Sequence, residues 1–275
     1  MENYKKLIKG LVGNLLAILT SLIVMLPLVV LFINSFKTSG EANKMSLALP
    51  EKWMFENYAV VIEQGKLVSS FFNGLIYATF SVIIIIILVS AASFVISRNF
   101  KGINKFVYYF IIAGIAMPIN NVALMKVMQA LNLVNTRHGI ILLYAAINIP
   151  LSLFLCYGFI GTIPREIDEA AVIDGCTPIK LFIGIIVPLL KPIISTLFVL
   201  NFMAVWNDFT MPLYYLNNSK QWPMTLAVYN FFGAFENSWN LVSADIILTL
   251  LPVLLIFVIG QKYIVGGVSA GAVKG

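Results

Sequence analysis

Charge is scarce in this sequence. Only 11% of its 275 residues are Asp, Glu, Lys or Arg, whereas 60% are hydrophobic. A soluble domain of this size carries about 25% charged residues, so the composition excludes a soluble globular protein and indicates an integral membrane protein. The net charge of +6 does not indicate a nucleic-acid partner, because Lys and Arg lie at the ends of apolar runs rather than in one patch.

Residues that ligate metals or bind nucleotides are also rare. His138 is the only histidine and Cys156 and Cys176 are the only cysteines, so neither an H-E-x-x-H motif nor a Cys/His ligand set is present. These absences argue against a membrane metalloenzyme, and we expect no disulfide. The sequence also lacks G-x-x-x-x-G-K-[ST], so the chain does not bind ATP as a P-loop protein does. We therefore predict no catalytic residue, no metal and no cofactor.

Long uncharged runs are what the sequence has instead. A helix of about 20 apolar residues crosses the hydrocarbon core of a membrane, and Pro118 interrupts one of the runs. The central parts of the runs hold no ionisable residue, which argues against an ion-coupled secondary transporter. The sequence predicts six spans: Leu11 to Ile33, Ser69 to Ser97, Phe106 to Met125, Gly139 to about Gly161, about Ile185 to Met211, and about Ser243 to Gln261.

Basic clusters orient these spans. Lysines lie within Lys5 to Lys9, before the first span, and Arg98 to Lys105 separates the second span from the third. The segment from Phe36 to Val68 has four Lys and four Glu and hence no net charge. Because positive residues accumulate on the cytoplasmic side, we predict that both termini are cytoplasmic.

Acidic residues gather between two long apolar runs only in the stretch from Glu169 to Pro192 and just before it. Pro164 suits the first turn of a short helix, and Gly175 can adopt the positive φ that ends such a helix. Thr177 can then cap a second helix that has Pro178 in its first turn. The pattern predicts a helix, a glycine turn and a second helix.

This stretch carries a resemblance to a known family. It resembles the EAA loop of permeases from importers of the ATP-binding cassette (ABC) superfamily in the following positions: Glu169, Ala170, Ala171, Asp174 and Gly175, followed by Pro188. The last residues, YIVGGVSAGAVKG from Tyr263 to Gly275, are similar to the C-terminus of sugar-importer permeases of the maltose-system type. Further likenesses, such as Trp206 to Pro212, extend the resemblance over nearly the whole chain.

The resemblance implies an all-α polytopic membrane protein with six transmembrane helices and the type I ABC importer (MetI-like) permease fold. Residues 1–68 would hold the N-terminal segment, the first span and an external loop. Residues 69–262 would form the permease core with its coupling loop at 163–184, and residues 263–275 a cytoplasmic tail. The expected location is the cytoplasmic membrane of a bacterium or archaeon.

The resemblance also implies partners. They are a second, homologous permease in a heterodimer, two ABC ATPase subunits that bind the ATP, and an extracytoplasmic solute-binding protein that delivers a carbohydrate. The EAA loop would dock on an ATPase, with Ala170 and Ala171 as a small face for close approach and Glu169 and Asp174 giving orientation by charge. The tail, unstructured by itself, would contact the ATPases through Gly271, Ala272 and Lys274.

Polar residues in the middle or outer halves of the spans leave two interpretations open. Buried amides in a membrane need partners, so they line a watery pathway or hydrogen-bond between helices. Tyr77, Phe154 or Trp206 would stack on a sugar ring. An ABC permease for a solute other than a sugar remains the alternative. The candidate pathway residues are Asn73, Asn120, Asn121, Asn148, Asn207 and Asp208.

Overall fold

The computed structural model describes residues 2–99, 102–232 and 238–272. Within these ranges the regular structure is helical, with no β-strand. A π-helical turn spans Phe182–Ile186, and 3-10 turns span Ser219–Gln221 and Val228–Phe231. The α-helices are α1 (Glu2–Asn34), α2 (Ser39–Ala42), α3 (Glu56–Gln64), α4 (Leu67–Arg98), α5 (Gly102–Ala113), α6 (Asn121–Ala130), α7 (Arg137–Ile160), α8 (Glu166–Ile173), α9 (Pro178–Leu181), α10 (Val187–Leu189), α11 (Lys191–Asn207), α12 (Thr210–Tyr215), α13 (Met224–Ala227) and α14 (Trp239–Ala272).

Four of the described helices are long and apolar enough to cross a membrane. They are α1, α4, α7 and α14, and they contain the predicted first, second, fourth and sixth spans. The segments Pro178–Leu189 and Lys191–Asn207 make a fifth if the bent pair counts as one span. The all-α membrane fold is therefore confirmed, whereas six uninterrupted spanning helices are not found among the described residues.

The predicted third span is divided. Helix α5 ends at Ala113, and α6 does not begin until Asn121. Pro118 lies in the gap and has no N–H to continue a helical ladder. Asn120 then starts α6, because its Oδ1 accepts hydrogen bonds from the backbone N–H groups of Val122 at 3.1 Å and Ala123 at 3.0 Å.

The fifth predicted span is bent rather than straight. Its two segments meet at an angle of 71° around Leu190. Pro192 is in the first turn of α11, where its missing N–H costs nothing but where it cannot continue the preceding helix. The bend thus follows from the proline ring at position 192.

The chain divides into two compact units, the first of which comprises Met1–Val68 and Ala227–Leu251. Side chains of α1 from Gly10 to Val29 are exposed, as expected of a helix that a membrane or another subunit covers. The loop after α1 buries Lys37, whose Nζ donates to Asn34 Oδ1 at 3.1 Å and to Ser46 O at 2.7 Å. This loop is therefore ordered by its own polar contacts.

The second unit comprises Ser69–Leu226 and Pro252–Gly275. Its apolar core is shared by α4, α7, α11 and the segment between α7 and α11. Ile85 from α4, Leu153 from α7 and Leu197 from α11 are fully buried in it. The core continues into that intervening segment through Ile163, Ala171 and Leu181. The segment is therefore packed against the helices.

The last helix differs from the prediction. A tail without regular structure was expected from residue 263, but the backbone of α14 stays helical to Ala272. Valine, alanine and isoleucine tolerate a helix, and each glycine costs only about 1 kcal/mol relative to alanine, so no residue after Pro252 forces the helix to end.

Candidate functional site

The segment at residues 163–184, here called the hairpin, has the predicted architecture of two helical arms around a glycine. The first arm, α8, ends at Ile173, Asp174 is its C-cap, and Gly175 has a φ of +77°. Gly175 N donates to Val172 O at 3.0 Å, and Cys176 N donates to Ala171 O at 2.9 Å. This pair of bonds is the Schellman motif, in which a left-handed residue satisfies the last carbonyls of a helix. The predicted positive φ of Gly175 is confirmed.

The second arm begins as predicted. Thr177 is extended, and its side chain accepts a hydrogen bond from Lys180 N at 3.4 Å, while Pro178 occupies the first turn of α9. The first arm differs slightly, because α8 begins at Glu166 and leaves Pro164 just outside the helix. Only two residues, Cys176 and Thr177, separate the Schellman turn from the second helix, so the turn between the arms is short and fixed.

One face of the hairpin is buried and the other is exposed. Ala171 is 4% exposed and packs into the core of the second unit. The two alanines of the predicted small-residue face therefore differ in exposure: Ala170 is at the surface, whereas Ala171 packs against the core. The exposed side combines acidic and apolar side chains. It carries Glu169, Ala170, Val172, Ile173, Asp174 and Ile179, with Ile173 85% exposed and Ile179 73% exposed.

A contact that the sequence did not predict holds the hairpin to α4. Arg98, the last residue of α4, forms an ion pair with Asp168 in the first turn of α8. Arg98 Nη2 also donates to Ile163 O at 3.3 Å, and Arg165 Nη2 donates to Ser97 O at 2.8 Å. The only hint in the sequence was that Arg98 and Asp168 lie on the same side of the predicted membrane.

Two of the six candidate pathway residues bond through their side chains to distant parts of this chain. Asn73 is 3% exposed, and its Nδ2 donates to Lys220 O at 2.9 Å and to Trp222 O at 3.2 Å. Its Oδ1 accepts from Arg137 Nη2 at 3.1 Å. Asp208 accepts from Tyr144 Oη at 2.9 Å and from the N–H of Met211 at the start of α12. Both residues therefore bind parts of this chain together.

The remaining four are exposed or half-buried. Asn120 and Asn207 are exposed, whereas Asn121 and Asn148 are half-buried. Asn120 caps α6, and Asn148 Nδ2 donates to Tyr144 O in its own helix at 2.8 Å. Asn207, at the end of α11, is exposed to a solute, whereas the exposed side chain of Asn120 is already used as a helix cap.

The three aromatic residues expected to stack on a sugar also differ in exposure. Tyr77 and Trp206 are buried, with exposed fractions of 1% and 4%. Tyr77 donates from its hydroxyl to Gln221 O at 2.8 Å, and the Trp206 ring stacks on Phe202. Only Phe154 is exposed. Of the three predicted stacking residues, Tyr77 and Trp206 are instead part of the fold.

The predicted tail contacts lie at the end of the chain. Gly271 and Ala272 are on the last turn of α14, and Lys274 lies outside the described residues. A contact between these residues and an ATPase stays a prediction.

Comparisons with known proteins agree with the fold. A family model described as "Binding-protein-dependent transport system inner membrane component" matches residues 97–269, which include α4's end, the hairpin and most of α14. A solved bacterial ABC transporter involved in the import of the acidic polysaccharide alginate has a similar chain, with a TM-score of 0.81 over 93% of this chain and 96% of that one. At 21% identity this likeness shows the fold, and it confirms the predicted permease fold.

Curated relatives cover nearly the full length. The diacetylchitobiose uptake system permease protein NgcG of Streptomyces coelicolor is 31% identical over 96% of this chain and 88% of its own. The melibiose/raffinose/stachyose import permease protein MelC of Bacillus subtilis is 34% identical over 95% of this chain and 96% of its own. These matches confirm a multi-pass transport subunit rather than an enzyme. The chain belongs to the inner membrane components of binding-protein-dependent transport systems, the permease subunits of ABC importers.

Proposed function

We propose that this chain forms half of the membrane pathway of an importer for a sugar or oligosaccharide, and that the hairpin is its dock for an ATPase subunit. The single observation that carries the docking role is the exposed, apolar tip of a rigid hairpin. Ile173, Val172 and Ile179 are 85%, 62% and 73% exposed.

Burial of this tip in a partner's groove would be favourable. Moving one isoleucine side chain out of water contributes about 1.5–3 kcal/mol. Glu169 and Asp174 flank the apolar residues and are exposed as well, so a basic rim on the groove would orient the hairpin. The Schellman turn at Gly175 fixes both arms in advance, which lowers the ordering cost of docking.

The proposed subunit arrangement places one hairpin on each of two permeases. This chain pairs with a second, homologous permease as a heterodimer, and each of two ATPase subunits receives one hairpin. The ATPases bind and hydrolyse the ATP, so this chain itself needs no cofactor. An extracytoplasmic solute-binding protein delivers the solute to the outer side.

A sugar is the solute class that the relatives favour. The names of NgcG and MelC give them diacetylchitobiose, melibiose, raffinose and stachyose. Asn207 and Asn148, an exposed and a half-buried amide, offer uncharged donors and acceptors of the kind that a neutral sugar requires.

The test uses the complete importer, purified through a tag on this chain and reconstituted in vesicles that contain MgATP. Labelled melibiose, raffinose and diacetylchitobiose are each supplied with the solute-binding protein, and labelled glutamine serves as a non-sugar control. We expect ATP-dependent accumulation of at least one sugar. Accumulation of glutamine alone would replace the sugar with another solute class, and uptake without ATP would refute an ATP-driven importer.

Native mass spectrometry of the same preparation tests the partners. We expect one copy of this chain, one copy of a different permease and two ATPase subunits. Two copies of this chain with no second permease would replace the heterodimer with a homodimer.

A further inference from the structure

The contact between α4 and the hairpin is reciprocal. Arg98 extends from the end of α4 to Asp168 and to Ile163 O, both in the hairpin. Arg165 extends from the hairpin to Ser97 O, one of the last carbonyls of α4. Such carbonyls have no partner within their own helix, and a cation near them is favoured by the helix dipole. Each of the two elements thus contributes one arginine whose guanidinium group bonds to the other element.

The joined residues are distant in the sequence and partly shielded from water. Arg98 and Asp168 are 70 residues apart, and their side chains are 13% and 16% exposed. Screening by salt is weaker for a partly buried pair than for an exposed one. The chain itself connects the hairpin to α7 on one side and, through α10, to α11 on the other. The ion pair and its companion bonds therefore add a polar link to α4 that the chain connection does not provide.

The apolar contacts beneath the hairpin act differently. Ala171 and Leu181 share a core with Val89 of α4. Apolar contacts are non-directional, and they resist separation more than they resist sliding. An ion pair with bonds to specific carbonyls fixes the position of α8 along α4, because those bonds weaken steeply when the geometry changes.

We propose that Arg98 and Asp168 transmit movement of the docked hairpin to α4, so that ATP hydrolysis is coupled to opening and closing of the pathway. They act as positioning residues rather than as part of the dock. This inference rests on the proposed docking of the hairpin. It assigns to a pair outside the EAA motif the step between docking and transport.

The first experiment removes the pair without changing side-chain size greatly. Asp168→Asn, Arg98→Gln and the neutral double variant are each reconstituted in the complete importer. We expect the ATPase to co-purify as with wild type, while the ratio of labelled melibiose or raffinose imported to ATP hydrolysed falls by about fivefold or more, the lower end of typical coupling between sites. Matched controls are Glu166→Gln, which removes an exposed carboxylate from the same turn of α8, and Lys105→Gln, which removes an exposed cation from α5. Both controls should keep the wild-type ratio.

The neutral double variant separates transmission from simple stability. If the only role of each residue is to neutralise the partly buried charge of the other, the double variant regains wild-type thermal stability. It then also regains the wild-type ratio of solute imported to ATP hydrolysed, and this result would overturn the proposal. A loss of ATPase co-purification in the single variants would also overturn it, because the pair would then shape the dock itself.

A second measurement does not depend on the transported solute. Spin labels at Val95 and Lys180, both exposed, report the distance between α4 and the hairpin in a background without Cys156 and Cys176. We expect this distance to stay constant in wild type when ATP and vanadate are added, and to change in the neutral double variant. The same constant distance in both proteins would refute the link. A wild-type importer that accumulates no sugar would refute only the proposed solute class.

Discussion

The hairpin differs from the polar cluster formed by Asn73, Arg137 and the carbonyls of Lys220 and Trp222. The hairpin exposes apolar side chains, whereas the polar cluster buries a polar one. In the hairpin the backbone is satisfied by local bonds, such as Cys176 N to Ala171 O, and apolar side chains such as Ile173 are left exposed. In the cluster the polar side chain of Asn73 is buried and bonded to the carbonyls of Lys220 and Trp222.

The difference identifies which region is built for a partner. A buried amide that uses both N–H donors and its carbonyl oxygen within the chain has little left to offer a solute. Ile173 is 85% exposed, and burial of its side chain by another surface would lower the free energy. The hairpin is therefore the stronger candidate for an external contact, and Asn73 is the stronger candidate for internal cohesion.

The largest effect is expected from Gly175→Val. A β-branched residue at a φ of +77° is strained by about 1–3 kcal/mol and would tilt the two arms of the hairpin against each other. We expect uptake to be abolished at equal abundance in the membrane. The matched control is Gly184→Val, because a side chain at Gly184 also meets open space but its backbone is helical. Wild-type uptake by Gly175→Val, or an equal loss of uptake in both variants, would show that transport does not depend on the positive φ of Gly175.

A charge at the tip should weaken docking. Ile173→Asp replaces an apolar contact with a carboxylate that must be desolvated, so we expect the affinity for the purified ATPase to fall about tenfold or more, the equivalent of at least about 1.4 kcal/mol. Thr162→Asp adds the same carboxylate at an exposed position just before the hairpin and should leave the affinity unchanged. Equal binding by wild type and Ile173→Asp would show that the tip is not the dock.

The cluster should respond in stability rather than in transport chemistry. Asn73→Leu leaves two carbonyls and the Arg137 guanidinium without this partner, which costs about 1–3 kcal/mol. We expect a lower thermal midpoint, with normal uptake per folded molecule. Asn207→Leu changes an exposed amide and should lower uptake at an unchanged midpoint. The opposite pattern would place Asn73 on the pathway and Asn207 outside it.

The smallest effect is expected at Glu41, in the short helix α2 that follows α1. The pKa of Glu41 is lowered from its ordinary value of 4.5, first by the backbone N–H of Glu51 and then by the hydroxyl and N–H of Thr38. A lowered pKa means that the carboxylate stabilises the loop above pH 4.5 and that this contribution is lost as the pH falls through the lowered value.

Hydrogen exchange of residues 38–51, corrected for the intrinsic pH dependence, measures this effect. Wild type should be protected evenly above pH 4.5 and lose protection only in acid. Glu41→Gln should be less protected at neutral pH and show no further loss in acid. An acid transition of equal size in both proteins would assign it to other groups.

Local features of the fold were predicted from the sequence because neighbouring residues determine them. The positive φ of Gly175, the cap at Thr177 and the position of Pro178 depend on residues within one or two turns, and all three are present. The four spanning helices follow from uninterrupted apolar runs, since a bilayer requires about 20 such residues. The EAA pattern indicated the family for a similar reason, because its residues act within one short segment.

The tertiary structure decided what depends on which face of a helix meets another. Pro118 indicated a break in the third run, but it did not determine that α5 would end at Ala113 and α6 begin at Asn121. Ala170 and Ala171 likewise did not reveal which of them would be buried. Asn73 binds backbone 147 residues away, and Arg98 binds Asp168 across 70 residues. No local pattern encodes such pairs, because they arise only after helices pack and bring distant positions within the roughly 3 Å reach of a hydrogen bond.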